Sequence, residues 1–170
     1  FLGVYIVAKA TDFTPEEWEI LCALPFIVAG TSLAVIHPNA LKAIKAALSI
    51  YPIVRDTSKH FPENECIQAI FTDKDEKSSE HNELIEKHRG NGKEAAIALR
   101  NDMCEQAIAS LSQKSQPQES EEYRRWLLQI ADETMHRGQS NGFLGLGKGR
   151  AEAEIAQARR DFAQVLQISE

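Results

Sequence analysis

The chain has 170 residues, of which 43% are hydrophobic and 26% charged. This is the composition of one globular domain, and it excludes a disordered or collagen-like chain. Nineteen Lys and Arg against twenty-five Asp and Glu give a net charge of −6. Because binding to nucleic acid depends on neutralising phosphates, we expect no nucleic-acid partner.

The three cysteines indicate the compartment. Cys22, Cys66 and Cys104 are far apart, odd in number and without CxxC spacing. A disulfide framework or a structural zinc site is therefore not expected. We predict buried, reduced thiols, which suit a cytoplasmic protein.

Residues 1–12 are predicted to be a lead-in to the domain. The stretch is apolar but lacks the basic segment and clear cleavage site of a secretory signal. The β-branched and aromatic residues at 4–7 favour an extended segment, and a loose helical turn is the alternative. We place the helical domain at residues 13–170.

A helix start is predicted directly after this lead-in. Thr14 is a good N-cap, Pro15 suits the first helical position and Glu17 completes a capping box. Phe13 and Trp18 occupy the two positions of a hydrophobic staple. Four separate cues therefore agree on the same helix start.

The helix continues into Ile20–Ile36, a stretch without any charge. Its length is at the short end of what spans a bilayer, and no dense Lys or Arg cluster flanks it. We expect a buried central helix and no membrane span. Pro25 is predicted to kink or restart the helix, and Ala29-Gly30 to let another helix approach closely.

Apolar residues recur at helical spacing along the rest of the chain. The expected faces comprise Leu41, Ile44, Leu48 and Tyr51; Ile67, Ile70 and Phe71; Ala96, Leu99, Met103, Ala107 and Leu111; Tyr123, Trp126, Leu127, Ile130 and Thr134; and Ile155, Ala158, Phe162 and Val165. Pro52 is predicted to kink or end one helix, Phe61-Pro62-Glu63 to open the next, Pro117 to start another and Gly138 to follow its end. No alternating pattern of strand length follows residue 10. The predicted fold class is all-α, a single-domain bundle of five to seven helices.

A Gly-rich segment, residues 142–150, contains the GxxxxGK half of a P-loop. That motif needs a preceding strand and a following Ser or Thr, whereas here a helix precedes it and Gly149 follows, so NTP hydrolysis is not expected. Helix N-termini favour anions, which gives a candidate anion site at Gly147, Lys148, Gly149 and Arg150. The favoured interpretation is a tight interhelical turn with Phe143 and Leu144 buried beneath it.

The other chemical motifs are incomplete. Glu133 and His136 form one ExxH, the helical motif of di-iron bundles, but no second copy occurs. No Ser, Cys or Thr lies in a recognisable nucleophile context. We therefore expect no catalytic residue, no metal and no cofactor.

Four segments together resemble a family of small, all-helical bacterial proteins of unknown function. They are Phe13–Trp18, Tyr123–Leu128, Gly142–Gly147 and Glu152–Glu154. In that family a GFLG-type loop joins the last two helices, and a Ser tends to cap the last one. Ala151 stands at that position here. The resemblance implies the fold and no activity.

Two functions remain as hypotheses. The first is a non-enzymatic interaction or regulatory module that acts through a protein partner or self-association, because no catalytic group is evident and the first part of the chain is strongly apolar. The alternative is a binding protein or enzyme for a small, phosphate-type anion at residues 142–150. Its positive groups would be Lys148, Arg150, Arg159 and Arg160.

Overall fold

Six α-helices and one 3-10 turn make up the described part of the chain. The computed structural model describes residues 8–36, 50–72, 92–140 and 148–169. After a turn at Ala10–Asp12, the helices are α1 (Pro15–Ile36), α2 (residues 50–58), α3 (Glu65–Thr72), α4 (Gly92–Lys114), α5 (Pro117–Ser140) and α6 (Lys148–Val165). These ranges contain no strand. The predicted all-α, single-domain bundle of five to seven helices is confirmed.

The bundle is organised around α1. This helix packs most extensively against α4 and α5 and also contacts α6. Within the described ranges, Pro15–Val35 is the one stretch long and apolar enough to cross a bilayer, and 67% of its most apolar 18-residue window is buried inside the protein. A core helix shows the same length and composition, so the stretch is weak evidence for a membrane span.

The start of α1 is built as predicted. The backbone N–H of Glu17 donates to Thr14 Oγ1 at 3.2 Å, and the backbone N–H of Thr14 donates to Glu17 Oε2 at 2.7 Å. The rings of Phe13 and Trp18 stack with their centroids 5.9 Å apart. Lys114 also donates to Glu17, which lowers the pKa of that carboxyl and ties the end of α4 to the start of α1.

We expect Thr14→Ala to lower the free energy of unfolding by about 1 kcal/mol, because it removes the hydroxyl that caps the helix. Thr14→Ser keeps that hydroxyl and should remain close to the wild type. Urea denaturation followed by circular dichroism measures both variants. An unchanged midpoint in Thr14→Ala would show that the cap does not stabilise the fold.

The helix α1 runs through Pro25 without restarting. Proline has no N–H, so the carbonyl of Leu21, four residues earlier, receives no bond from within the helix. The hydroxyl of Tyr123 on α5 donates to this carbonyl instead, at 2.8 Å. Tyr123 is fully buried, and burial raises the pKa of its hydroxyl well above the ordinary value. A side chain of α5 therefore completes the backbone bonding that Pro25 interrupts.

The polar residues that follow in α1 are satisfied within the helix. The hydroxyl of Thr31 donates to the carbonyl of Ile27 at 2.8 Å, and that of Ser32 donates to Val28 at 2.7 Å. Such bonds let hydroxyl groups lie in an apolar interior at little cost. Ala29, one residue of the predicted contact, is fully buried, whereas a Cβ added at Gly30 would have no atom of the described residues within 4 Å.

Helices α2 and α3 are joined to α5 through one tryptophan. The Nε1 of Trp126 donates to Thr57 Oγ1 of α2 at 2.9 Å. Its ring meets Phe71 of α3 edge-on at 6.1 Å. Helix α2 continues across Pro52 rather than ending there. At residue 52 the prediction of a helix end is therefore wrong.

Helix α3 begins later than predicted. Its N-cap is Asn64, whose Oδ1 accepts from the N–H of Ile67 at 3.1 Å, so the helix starts at Glu65 and not at Phe61-Pro62-Glu63. The amide Nδ2 of the same Asn64 donates to the carbonyl of Glu119 at 3.1 Å. The cap therefore also fastens α3 to the first turn of α5.

The predicted apolar faces of the last three helices point inward. Met103, Ala107 and Leu111 are buried on α4, all five predicted residues on α5 are buried, and Phe162 is buried on α6. The end of α5 differs from the prediction, because the helix runs to Ser140 and contains Gly138.

The lead-in is fastened by one carboxylate. The N–H of Ala8 donates to both oxygens of Glu119, at 3.2 Å each, and the N–H of Gln116 donates to the same group at 3.0 Å. Residues 1–7 and the predicted face at 41–48 lie outside the described residues, as do Phe143 and Leu144.

Candidate functional site

The predicted anion site falls at the start of α6. Lys148, Gly149 and Arg150 form the first turn of this helix, where backbone N–H groups have no partner within the helix. Gly147 lies outside the described residues. The structure therefore places three of the four residues at a helix N-terminus and describes no contact of their side chains.

The ExxH residues have ordinary surface contacts. Glu133 pairs with Arg137 one turn later at 3.3 Å, and the Nδ1 of His136 donates to the carbonyl of Asp132 at 2.8 Å. Across the described ranges, no group of three or more His, Cys, Asp or Glu side chains is arranged to hold a metal ion.

The three cysteines are free and buried, as predicted. Burial raises the pKa of Cys66 and of Cys104 to about 12. Both thiols are therefore protonated at neutral pH, whereas a reactive cysteine is present as thiolate. The cysteines belong to the apolar core around Tyr123.

A surface depression lies between α5, α6 and the segment that follows α6. We call it the α5–α6 groove. It is open and shallow, with a volume of about 520 Å³, and is lined by Arg125, Leu128, Gln129, Asp132, Arg159, Ile168 and Ser169. Apolar and charged side chains therefore share its walls.

The Asp132 carboxylate occupies the wall of this groove. Its Oδ2 accepts from Arg159 Nε of α6 at 3.0 Å. Its Oδ1 is shielded from water and accepts no hydrogen bond from any residue that the structure describes. A buried carboxylate oxygen without a partner is costly, so this atom marks an incomplete hydrogen-bonding site.

Two further polar residues of the groove, Arg125 and Gln129, lie on the surface of α5. Arg125 pairs with Glu121 at 2.5 Å, and both side chains are more than half exposed. The side-chain amide of Gln129 contacts His60 Nδ1 at 2.5 Å. Because exposed pairs of this kind contribute little stability, Arg125 can exchange its partner at small cost.

No motif in the sequence indicates this groove. Its four α5 residues recur at 125, 128, 129 and 132, the spacing of one helical face, beside the inward-facing stripe that was predicted. Arg159 was considered only as a charge for the Gly-rich segment. The spacing of these residues indicates one face of α5, but the packing of α6 on α5 determines which residues of that face remain accessible.

No protein-family model, curated protein or solved structure matches the chain. The resemblance to small bacterial helical proteins therefore stays a prediction.

Proposed function

We propose that this protein is a non-enzymatic interaction module and that the α5–α6 groove contacts its protein partner. The observation that carries the proposal is the open α5–α6 groove, in which arginine side chains and apolar side chains lie together on one accessible surface.

The shape and composition of the groove support a protein partner. A shallow, open surface encloses little of a small molecule, whereas small-molecule sites bury most of their ligand. Arginine is enriched at protein interfaces, and Arg125 and Arg159 flank the apolar side chains of Leu128 and Ile168. Such a surface offers both apolar contact and charge to a partner.

Arg125→Glu tests the proposal, because it reverses the charge at the rim of the groove. Arg160→Glu is the matched control, since Arg160 is an exposed arginine of α6 outside the groove. Each tagged variant is used to capture proteins from the cells that make it, and sedimentation measures self-association. We expect Arg125→Glu to lose the partner or the self-association that the wild type and Arg160→Glu retain.

Two results would contradict this function. One is equal capture and self-association by all three proteins. The other is a wild type that neither captures a protein nor self-associates. The thermal midpoint of each variant is measured alongside, because loss of binding counts only when the fold is intact.

The alternative function, binding of a small phosphate-type anion at residues 142–150, rests on a different observation. Lys148, Gly149 and Arg150 form the first turn of α6, where free N–H groups and the helix dipole attract anions. Lys148→Ala should then weaken phosphate binding, whereas the interaction-module function predicts no effect of that change.

A further inference from the structure

One arginine lies almost completely inside the contact between α4 and α6. Arg100 is only 7% exposed. Its guanidinium lies over the ring of Phe162, with the central carbon 4.3 Å from the ring centroid. Its Nε and Nη2 both donate to Asn101 Oδ1, at 3.1 and 2.9 Å.

This positive charge has no carboxylate partner among the described residues. Buried arginines are normally paired, since removing a charge from water is costly. Asp161 acts on Arg100 only from a distance, and its own Oδ1 accepts from Gln157 at 2.6 Å. Burial accordingly lowers the pKa of Arg100. The ring of Phe162 and the amide of Asn101 are neutral, so no described residue pairs with this charge.

One edge of the guanidinium remains available. Asn101 occupies the edge formed by Nε and Nη2, whereas Nη1 has no hydrogen bond to any described residue. Arg100 keeps 7% of its surface exposed, and Nη1 is not one of the fully shielded side-chain atoms that lack a partner. The edge formed by Nη1 and Nη2 matches the two oxygens of a carboxylate or phosphate.

We propose that Arg100 is a receptor for an oxyanion, a carboxylate or phosphate group that binds the open edge of its guanidinium between α4 and α6. Phe162 and Asn101 hold the guanidinium in place before the anion arrives, which reduces the entropy lost on binding. Asp161 opposes the anion through its negative charge, and the Cys104 thiol beside Arg100 is protonated and neutral.

This site is separate from both surfaces discussed above. The α5–α6 groove contains neither Arg100 nor Phe162. Lys148 and Phe162 are fourteen residues apart on α6, which corresponds to about 21 Å along the helix axis. Oxyanion binding at Arg100 therefore neither requires nor excludes the proposed interaction function.

The test measures the thermal midpoint while phosphate replaces chloride at constant ionic strength, with acetate in a parallel series. Arg100→Met keeps an unbranched side chain of similar length and removes the charge. Arg160→Met is the matched control, because it removes an exposed arginine from α6. Lys148→Ala separates this site from the N-terminus of α6.

We expect the midpoint of the wild type, Arg160→Met and Lys148→Ala to rise with phosphate, with acetate or with both, and the series that responds identifies the anion class. Arg100→Met should bind about 10- to 100-fold more weakly, as expected when a hydrogen bond to a charged group is lost. Asp161→Asn, an exposed change that keeps Arg100, should bind a few-fold more tightly.

Three results would overturn the proposal. The first is a wild type whose midpoint responds to neither anion. The second is an Arg100→Met variant that responds as the wild type does. The third result is used if Arg100→Met does not fold. In that case Asp161→Asn is compared with the wild type, and the proposal fails if both proteins reach the half-maximal rise of the midpoint at the same anion concentration.

Discussion

Trp126→Ala is expected to lower the free energy of unfolding by about 3–5 kcal/mol, the usual cost of removing a large buried aromatic side chain. Trp126 is completely buried, and its ring meets Tyr123 and Phe71 edge-on, at 5.7 and 6.1 Å. It also donates to Thr57. One side chain therefore packs α2 and α3 against α5, and its loss leaves a cavity where the three helices meet.

Urea denaturation at equilibrium measures this change, and Trp126→Phe is the matched control. Phenylalanine retains most of the ring contacts and loses the Nε1 donor. The hydroxyl of Thr57 remains satisfied in that variant, because it donates to the carbonyl of Ile53 at 2.9 Å. Trp126→Phe should therefore cost clearly less than Trp126→Ala. A loss below about 1 kcal/mol in Trp126→Ala, the size of an average single substitution, would show that α2 and α3 do not depend on this contact.

Tyr123→Phe is expected to lower the free energy of unfolding by about 1–3 kcal/mol, although it removes a single oxygen atom. The cost arises because the carbonyl of Leu21 would then be buried without a donor, since Pro25 cannot supply one. The phenyl ring preserves the packing against Trp126. The same denaturation experiment measures the loss, and a variant as stable as the wild type would contradict this role of the hydroxyl.

The helices with strong local signals could be predicted from the sequence. The cap at Thr14, the staple of Phe13 and Trp18, and the start of α5 at Pro117 all depend on residues within one helical turn. The inward faces of α4, α5 and α6 follow from spacing alone. These features need no knowledge of the neighbouring helices, and the structure confirms them.

Features that depend on neighbouring helices could not be predicted. Proline is a strong local signal against a helix, yet α1 passes through Pro25 because Tyr123, about a hundred residues later, bonds the carbonyl that proline leaves free. Helix α3 starts at Glu65 and not at the predicted residues 61–63, because Asn64 caps this helix and also donates a hydrogen bond to α5. Glycine at position 30 predicts a close helix contact, but no described residue comes within 4 Å of a Cβ added there.

The candidate sites illustrate the same limit. The residues of the α5–α6 groove are separated by up to 44 positions, so only the packing of α6 on α5 brings them together. Arg100 reads as a routine surface charge in the sequence, and its burial under Phe162 follows from the contact between α4 and α6. Uncompensated charge is a property of the folded chain and has no local sequence signature.

The central structural claim is that the Tyr123 hydroxyl stabilises the bundle around α1 by donating to the Leu21 carbonyl, which Pro25 leaves without a donor. A double-mutant cycle with Pro25→Ala and Tyr123→Phe tests it most directly. Alanine restores the N–H that bonds Leu21 within the helix, so the loss of the tyrosine hydroxyl should cost less in that background. We predict a coupling energy of about 1 kcal/mol or more between the two sites from urea denaturation of all four proteins. The claim would be contradicted if the loss of stability in the double mutant equalled the sum of the two single losses within about 0.5 kcal/mol.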